Sequence, residues 1–322
     1  LYKPKNLNYS QFIQRSNNPN IKWEHKPNIS VKVNNENFKI TTDKWKFRRE
    51  ENNISKIKPG NKKRVLLIGD SVVEGHGVND AETFSSIMEN IDDDIQVLNA
   101  AVGGYNTFQE KEYLITEGIQ FNPDIVILGF CFNDISSGYE ILSNFHTGEI
   151  MKFQNGFFPS ILGEVYKEPI KEYKNFNEWV YFNIFSYKIL SDGFYSAKIK
   201  FDLTELKEPK SRDYGGLSRL QAMSNIQSVE FNWFSKQIID INNFSIDHGF
   251  NFLVLIFPLR SQVYFDEDER YRPIAQEKMK VFFKNKNIKY LDAMEVINSP
   301  DDFLDNTHLS ITGHQKIATW LF

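Results

Sequence analysis

The sequence predicts an α/β fold built on a parallel sheet with helices on its faces. Three observations carry that prediction. From Arg64 onward, short apolar runs alternate with helical patterns, as expected of strands joined by crossover helices. Val65–Ile68, Ile125–Phe130 and Phe252–Phe257 are nearly continuous aliphatic and aromatic runs, as strands covered on both faces require. The first of these runs stops at Gly69-Asp70-Ser71. A small residue, a carboxylate and a hydroxyl then stand at the carboxyl edge of the sheet, where α/β proteins place their chemistry.

The 322 residues suffice for one large domain or two small ones, and a hydrophobic fraction of 41% supplies a sizeable core. A charged fraction of 25% with a net charge of −4 gives no electrostatic reason to expect nucleic acid or an anionic membrane surface as the main partner. The 28 Phe and 14 Tyr fit a core rich in aromatics and leave open an aromatic-lined glycan cleft. Cys131 is the single cysteine, which excludes an intrachain disulfide and a zinc site built on several thiolates. No apolar run approaches the roughly 18–20 residues of a spanning helix. The chain opens at Leu1 without an initiator Met or a signal-like segment. The expectation is a processed N-terminus with a signal or anchor helix upstream, and an extracytoplasmic location.

Residues 1–60 are polar and rich in Asn and Lys, and are expected to form an arm of loops and short strands packed on the main domain. Val31 to Ile40 alternates apolar and polar residues about Asn34-Asn35, which argues a hairpin. A separate binding module is the rival reading. Lys56 to Lys63 links the arm to the first core strand, and the main domain covers 61–322. A helix is expected from about Ala81 to Asn90, then a strand over Ile95–Asn99. The loop that follows carries Gly103 and Gly104. Asn106 or Thr107 can cap a helix running to about Ile119. Ile125–Phe130 forms the third strand. An irregular, aromatic-rich insertion occupies about 136–216. It either walls the site or forms scaffold helices. The alternation resumes with a helix from about Gln221 to His248, stopped by Gly249. The strand Phe252–Phe257, a helix from Pro273 to about Lys284, a short strand Ile288–Asp292 and a final helix ending at Trp320 complete the chain.

A serine becomes a good nucleophile only beside a base, and the base needs an orienting acid. Asp305 and His308 can supply both from one turn. Three residues apart, the carboxylate can reach the near imidazole nitrogen while the far nitrogen points outward. Viewed alone, an Asp-x-x-His pair is more often structural. Acyl transfer also needs donors for an oxyanion. The Ser71 N–H, the Gly104 N–H and the Asn133 side-chain amide stand at three neighbouring strand ends and could converge. A turn glycine and a locally satisfied Asn are the alternatives at Gly104 and Asn133.

Gly69-Asp70-Ser71, Gly104 in the stretch Asn99–Tyr105, Asn133-Asp134 and Asp305 to His308 resemble the four ordered blocks of the SGNH (GDSL-like) hydrolases. The similarity covers roughly residues 64–134 and 250–322. It implies a three-layer α/β/α sandwich on a five-stranded parallel sheet. It implies Ser71 as nucleophile, His308 as base, Asp305 as its orienter, and Ser71, Gly104 and Asn133 as the oxyanion hole. Cys131 stands where the family often has glycine, which should narrow the approach to Asn133. Val72-Val73 replaces the Leu and hydroxyl residue of many lipolytic members and argues against a lipase. Gly69 to Val78 looks more like bacterial SGNH proteins that accompany surface polysaccharides.

The other histidines carry less. His76 is expected to pack or stabilise its loop, His248 to suit the end of a helix, and His314 to be structural. His25 and His146 have no partner legible in the sequence. Arg48, Arg49 and Arg260 read as solvated surface, with anchoring of an acidic substrate as the rival reading. No metal-ligand or nucleotide-loop pattern occurs, so no metal and no cofactor is expected. The implied function is a serine esterase that removes a small acyl group, acetyl first, from a carbohydrate or related ester. An O-acyltransferase using the same residues and a non-catalytic glycan-binding or assembly protein are the alternatives. The sequence leaves the oligomeric state open.

Overall fold

The structure is a computed structural model and describes residues 11–33, 38–50, 54–135, 214–264 and 272–322, without the side chains of 214–218 and 229. The insertion expected at about 136–216, with His146, falls almost wholly outside the described residues.

Two small hairpins come first. Strands β1 (Ile13–Arg15) and β2 (Trp23–His25) pair antiparallel, as do β3 (Ser30–Lys32) and β4 (Lys39–Thr41). The second pair is the hairpin expected from the Val31–Ile40 alternation, with Val31 opposite Ile40. The first hairpin, with strands of three residues like the second, is not among the sequence expectations.

The main sheet follows: β5 (Lys63–Gly69), β6 (Ile95–Asn99), β7 (Ile125–Phe130), β8 (Asn251–Ile256) and β9 (Lys289–Asp292). All neighbours are parallel, in the order β6-β5-β7-β8-β9. Leu66, Leu67, Val126, Leu128, Val254 and Leu255 are wholly buried, because helices cover both faces. The chain steps from β5 outward to β6 and then returns to the other side of β5 for β7. The reversal leaves a crevice beyond the carboxyl ends of β5 and β7, where open α/β sheets bind ligands.

The helices are α1 (Ser71–Glu74), α2 (Phe84–Ile91), α3 (Thr107–Thr116), α4 (Tyr214–Ser224), α5 (Val229–His248), α6 (Arg260–Tyr264), α7 (Ile274–Asn285) and α8 (Ile311–Trp320). α2 and α8 pack together, and α2 lies on β6. α3 packs on α5, and both contact the sheet; Phe231 and Phe234 of α5 meet Phe282 and Phe283 of α7 edge-on. The result is the three-layer α/β/α sandwich.

Several boundaries differ from the sequence expectation for local reasons. The helix expected from Gln221 to His248 is two helices, because Ser228 caps a new start by accepting from the Phe231 N–H. Gly249 ends α5 at φ 75°, the left-handed conformation that suits glycine. α3 begins after the Asn106 cap as expected but ends at Thr116, and a 3₁₀ turn at Gly118–Phe121 completes the connection.

Arg48 is neither a solvated cation nor a substrate anchor. It is 2% exposed and bonds Asp80 Oδ1 (3.0 Å) and the carbonyls of Lys39, Glu74, Gly75 and Val78. A guanidinium presents five donors in a fixed fork, so one side chain staples the arm to the loop after β5. Arg49 is held near Glu89, and Arg260 donates from Nε to the Pro300 carbonyl and faces the Tyr264 ring.

Candidate active site

The site begins with how β5 ends. Gly69 lies opposite Gly129 of β7. A Cβ at either position would overlap the Val73 side chain. The two glycines therefore let α1 sit directly on the sheet end, which brings Ser71 to the edge of the crevice. Asp70 caps α1, its Oδ1 accepting the Val72 N–H at 2.9 Å. Ser71 is the first residue of α1, where N–H groups lack an intrahelical acceptor.

The base arrives from the other end of the chain. His308 Nε2 lies 2.9 Å from Ser71 Oγ, across 237 residues of sequence. His308 Nδ1 lies 2.7 Å from Asp305 Oδ2. The other carboxylate oxygen, Oδ1, accepts the backbone N–H groups of Thr307 and His308, each at 2.8 Å. A carboxylate so held takes its hydrogen bond from Nδ1–H, which leaves the Nε2 lone pair to accept the serine proton. The turn is anchored behind: Ser310 caps α8, and its N–H bonds the Asp302 carbonyl.

Charges follow from these contacts. Burial opposes ionisation of Asp305, yet the neighbouring His308 and the two N–H donors hold its carboxyl well below the usual carboxylate range. Burial likewise works against a charged His308, and the Asp305 carboxylate outweighs it, holding the imidazole above its ordinary 6.5. The pair is not sealed from water. The Asp305 side chain is 56% exposed and that of His308 13%. Solvent screening therefore weakens their attraction.

Gly104 adopts φ 81° in a turn closed by the Tyr105 N–H on the Val102 carbonyl. Its N–H makes no hydrogen bond to another described residue. The loop is laid beside Ser71 because the Ala100 and Val102 N–H groups continue the β5 ladder onto the Leu67 and Gly69 carbonyls. Asn99, at the end of β6, reaches under the site and donates to the Val73 carbonyl and Ser85 Oγ.

Asn133 stands beyond β7 as expected, but its amide also has another task. Nδ2 donates to Asp70 Oδ2 at 2.5 Å, and Ser71 Oγ lies 3.4 Å from the same oxygen. An amide nitrogen carries two hydrogens, so Asp70 takes one and orients the other. Burial pushes the Asp70 carboxyl up, against the hydrogen bonds from Asn133 and Val72. Asp70 is thus a positioning group that the sequence offered only as part of the Gly-Asp-Ser block. The Cys131 side chain is fully buried, and its N–H donates to Asp134 Oδ2.

His76 packs between the arm and the base. Its ring meets Phe38 edge-on at 5.1 Å and lies 4.7 Å from the His308 ring, and burial with the nearby His308 pushes its pKa down to about 3. It is therefore neutral and packs, in keeping with the sequence reading. His314 is buried, accepts the Phe84 N–H and stacks on the Phe84 ring. His25, without a partner in the sequence reading, faces Glu74 Oε1 at 2.6 Å. Nothing local could have signalled that pair, since 49 residues separate its members. Among the described residues, no group of three or more His, Cys, Asp or Glu is arranged to hold a metal ion, and no helix is long and apolar enough to cross a membrane.

No protein-family model and no curated protein matches the sequence. Solved structures with a similar fold include a member of the lipolytic G-D-S-L family from Veillonella parvula. It is 10% identical, with 80% of this chain and 94% of that chain covered at a TM-score of 0.43. An acetylxylan esterase from Geobacillus stearothermophilus is 13% identical, covering 82% and 94% at a TM-score of 0.44. Another acetyl xylan esterase is 11% identical, covering 80% and 97%, also at 0.44. At such identities, nothing of their substrates transfers to this chain.

Proposed function

We propose that the protein is a serine esterase of the SGNH type, cleaving a small acyl group from a carbohydrate or related ester through an acyl-enzyme. The observation that carries this reading is the unbroken hydrogen-bonded chain Ser71 Oγ–His308 Nε2 and His308 Nδ1–Asp305 Oδ2, at 2.9 and 2.7 Å, on the edge of the sheet. Ser71 Oγ attacks the ester carbonyl while His308 Nε2 takes its proton. The carbonyl oxygen becomes an oxyanion facing the Ser71 and Gly104 N–H groups and the Asn133 amide. Collapse of the tetrahedral intermediate breaks the bond to the alcohol, which leaves with the proton from His308. Water, deprotonated by the same imidazole, then attacks the acyl-Ser71 and regenerates the hydroxyl. Asp305 keeps the base in the right tautomer and stabilises its cation.

The small acyl group is proposed from the Val72-Val73 and Gly69–Val78 sequences, which resemble polysaccharide-associated rather than lipolytic members. A panel of aryl esters from acetyl to octanoyl, with acetylated oligosaccharides beside them, tests it. Expected is kcat/KM highest for acetyl and propionyl and lower by at least about tenfold at octanoyl, since each added methylene in a fitted pocket is worth roughly 1–3 kcal/mol. A rising series with chain length would replace the small-acyl reading by a lipolytic one.

A further inference from the structure

The N-terminal arm lies outside the SGNH blocks, yet one buried side chain of β2 reaches the loop that carries Gly104 directly and another is linked to it through Glu74. Trp23 Nε1 donates to the Gly103 carbonyl at 3.1 Å. Tyr105, two residues on, returns the contact: its hydroxyl donates to the Trp23 carbonyl at 2.6 Å, and the two rings meet edge-on. His25 Nε2 faces Glu74 Oε1 at 2.6 Å, and the same oxygen accepts the Gly103 N–H at 3.1 Å. Trp23, His25, Glu74 and Tyr105 are each no more than 3% exposed.

The geometry of one peptide unit gives these contacts their meaning. The Gly103 carbonyl and the Gly104 N–H belong to the same planar peptide, which is trans like every peptide among the described residues. The two bonds therefore point in opposite directions. Whatever fixes the carbonyl fixes the N–H. A peptide between two glycines is also the easiest kind to flip, because neither neighbour has a Cβ to resist rotation. A flip would turn a carbonyl oxygen toward a developing oxyanion. The Trp23 indole holds one side of this unit, and Glu74 holds the amide immediately before it.

We infer that Trp23 and His25 of the N-terminal arm are positioning residues for the oxyanion hole, Trp23 aiming the Gly104 N–H through the shared peptide and His25 anchoring Gly103 through Glu74. This rests on the esterase reading, which it deepens by making the arm part of the reaction machinery. Glu74 also follows Ser71 on α1, so the same carboxylate joins the helix of the nucleophile to the loop of the donor.

The experiment uses the full chain with Trp23→Phe, His25→Ala, Glu74→Ala and Glu74→Gln, and with Phe47→Leu as a control at a buried arm position that packs on Phe121. Three quantities are read: kcat and KM on an aryl acetate, the rate at which a fluorophosphonate labels the protein, and hydrogen exchange of the amides of 102–106. Expected for Trp23→Phe, which keeps a ring and removes the N–H, is a kcat lower by about 10–100-fold with KM within about threefold, as for partial loss of an oxyanion donor. Labelling slows by a similar factor and the loop exchanges faster. His25→Ala behaves alike. Glu74→Ala follows, and Glu74→Gln, which retains an oxygen for the Gly103 N–H, recovers most of the rate. Phe47→Leu lowers Tm and leaves kcat unchanged. Wild-type kcat in Trp23→Phe and His25→Ala, or unaltered exchange of 102–106, overturns the inference while the esterase reading stands. A wild-type protein that neither hydrolyses nor labels removes the esterase reading, and with it the oxyanion-hole role of Trp23 and His25, whatever the loop exchange in the variants.

Discussion

His308→Ala is expected to lower kcat/KM on a short-chain aryl ester by about 10⁴–10⁶-fold, and Ser71→Ala by a similar factor. The double variant should be no worse than either single one. The physical reason is that the two side chains act as one unit. Ser71 Oγ sits 2.9 Å from His308 Nε2, and Asp70 Oδ2, the other acceptor recorded for it among the described residues, is farther away at 3.4 Å. A serine without a base is a poor nucleophile, and a base without the serine has nothing to activate. Steady-state rates of the three variants check this. Additive losses would mean that Ser71 and His308 serve separate tasks.

Asp305→Asn should cost about 10²–10⁴-fold in kcat and move the acid limb of the rate profile to lower pH. Burial alone would depress the imidazole, and the Asp305 carboxylate reverses that, so His308 titrates above 6.5 in the folded protein. The base works only when neutral, so wild-type kcat/KM falls as pH drops through that raised value. With Asn the charge is gone, burial prevails, and the limb shifts below the wild-type one. The same pair also contributes to stability. The His308 part is fully present below 6.5 and lost as pH rises through the raised pKa. The Asp305 part is present above 3.8 and lost as pH falls through its depressed pKa. Exposure of Asp305 keeps both contributions small. A pH–rate profile of Asp305→Asn checks the direction; an acid limb that stays in place would separate Asp305 from the base.

The sheet was legible because strands buried on both faces must be almost wholly apolar. β6 and β7 have the bounds that their apolar runs set, and β5, β8 and β9 differ by a residue or two. The hydrogen-bonded set of Ser71, His308 and Asp305 was legible for a different reason: its residues stand in blocks that resemble the SGNH hydrolases, whereas an Asp-x-x-His turn viewed alone is more often structural. Tertiary partners were not. Arg48 looks like any surface cation in sequence, and only the fold supplies the four carbonyls and the carboxylate that consume its donors. The same holds for His25 and Glu74, and for Trp23 and Gly103, which are 49 and 80 residues apart. The contacts of the β1–β2 hairpin with the loop of Gly104 emerge from the structure alone for the same reason, since Trp23 and Tyr105 are 82 residues apart.

Reaction with a fluorophosphonate, followed by peptide mass mapping, tests the central claim most directly. The phosphonyl group requires an activated serine and an oxyanion site together, whatever the natural acyl group is. One adduct per chain on Ser71 is expected, absent in Ser71→Ala and slowed by at least about 10³-fold in His308→Ala. Wild-type protein left unlabelled, or an adduct on any other residue, would contradict the account.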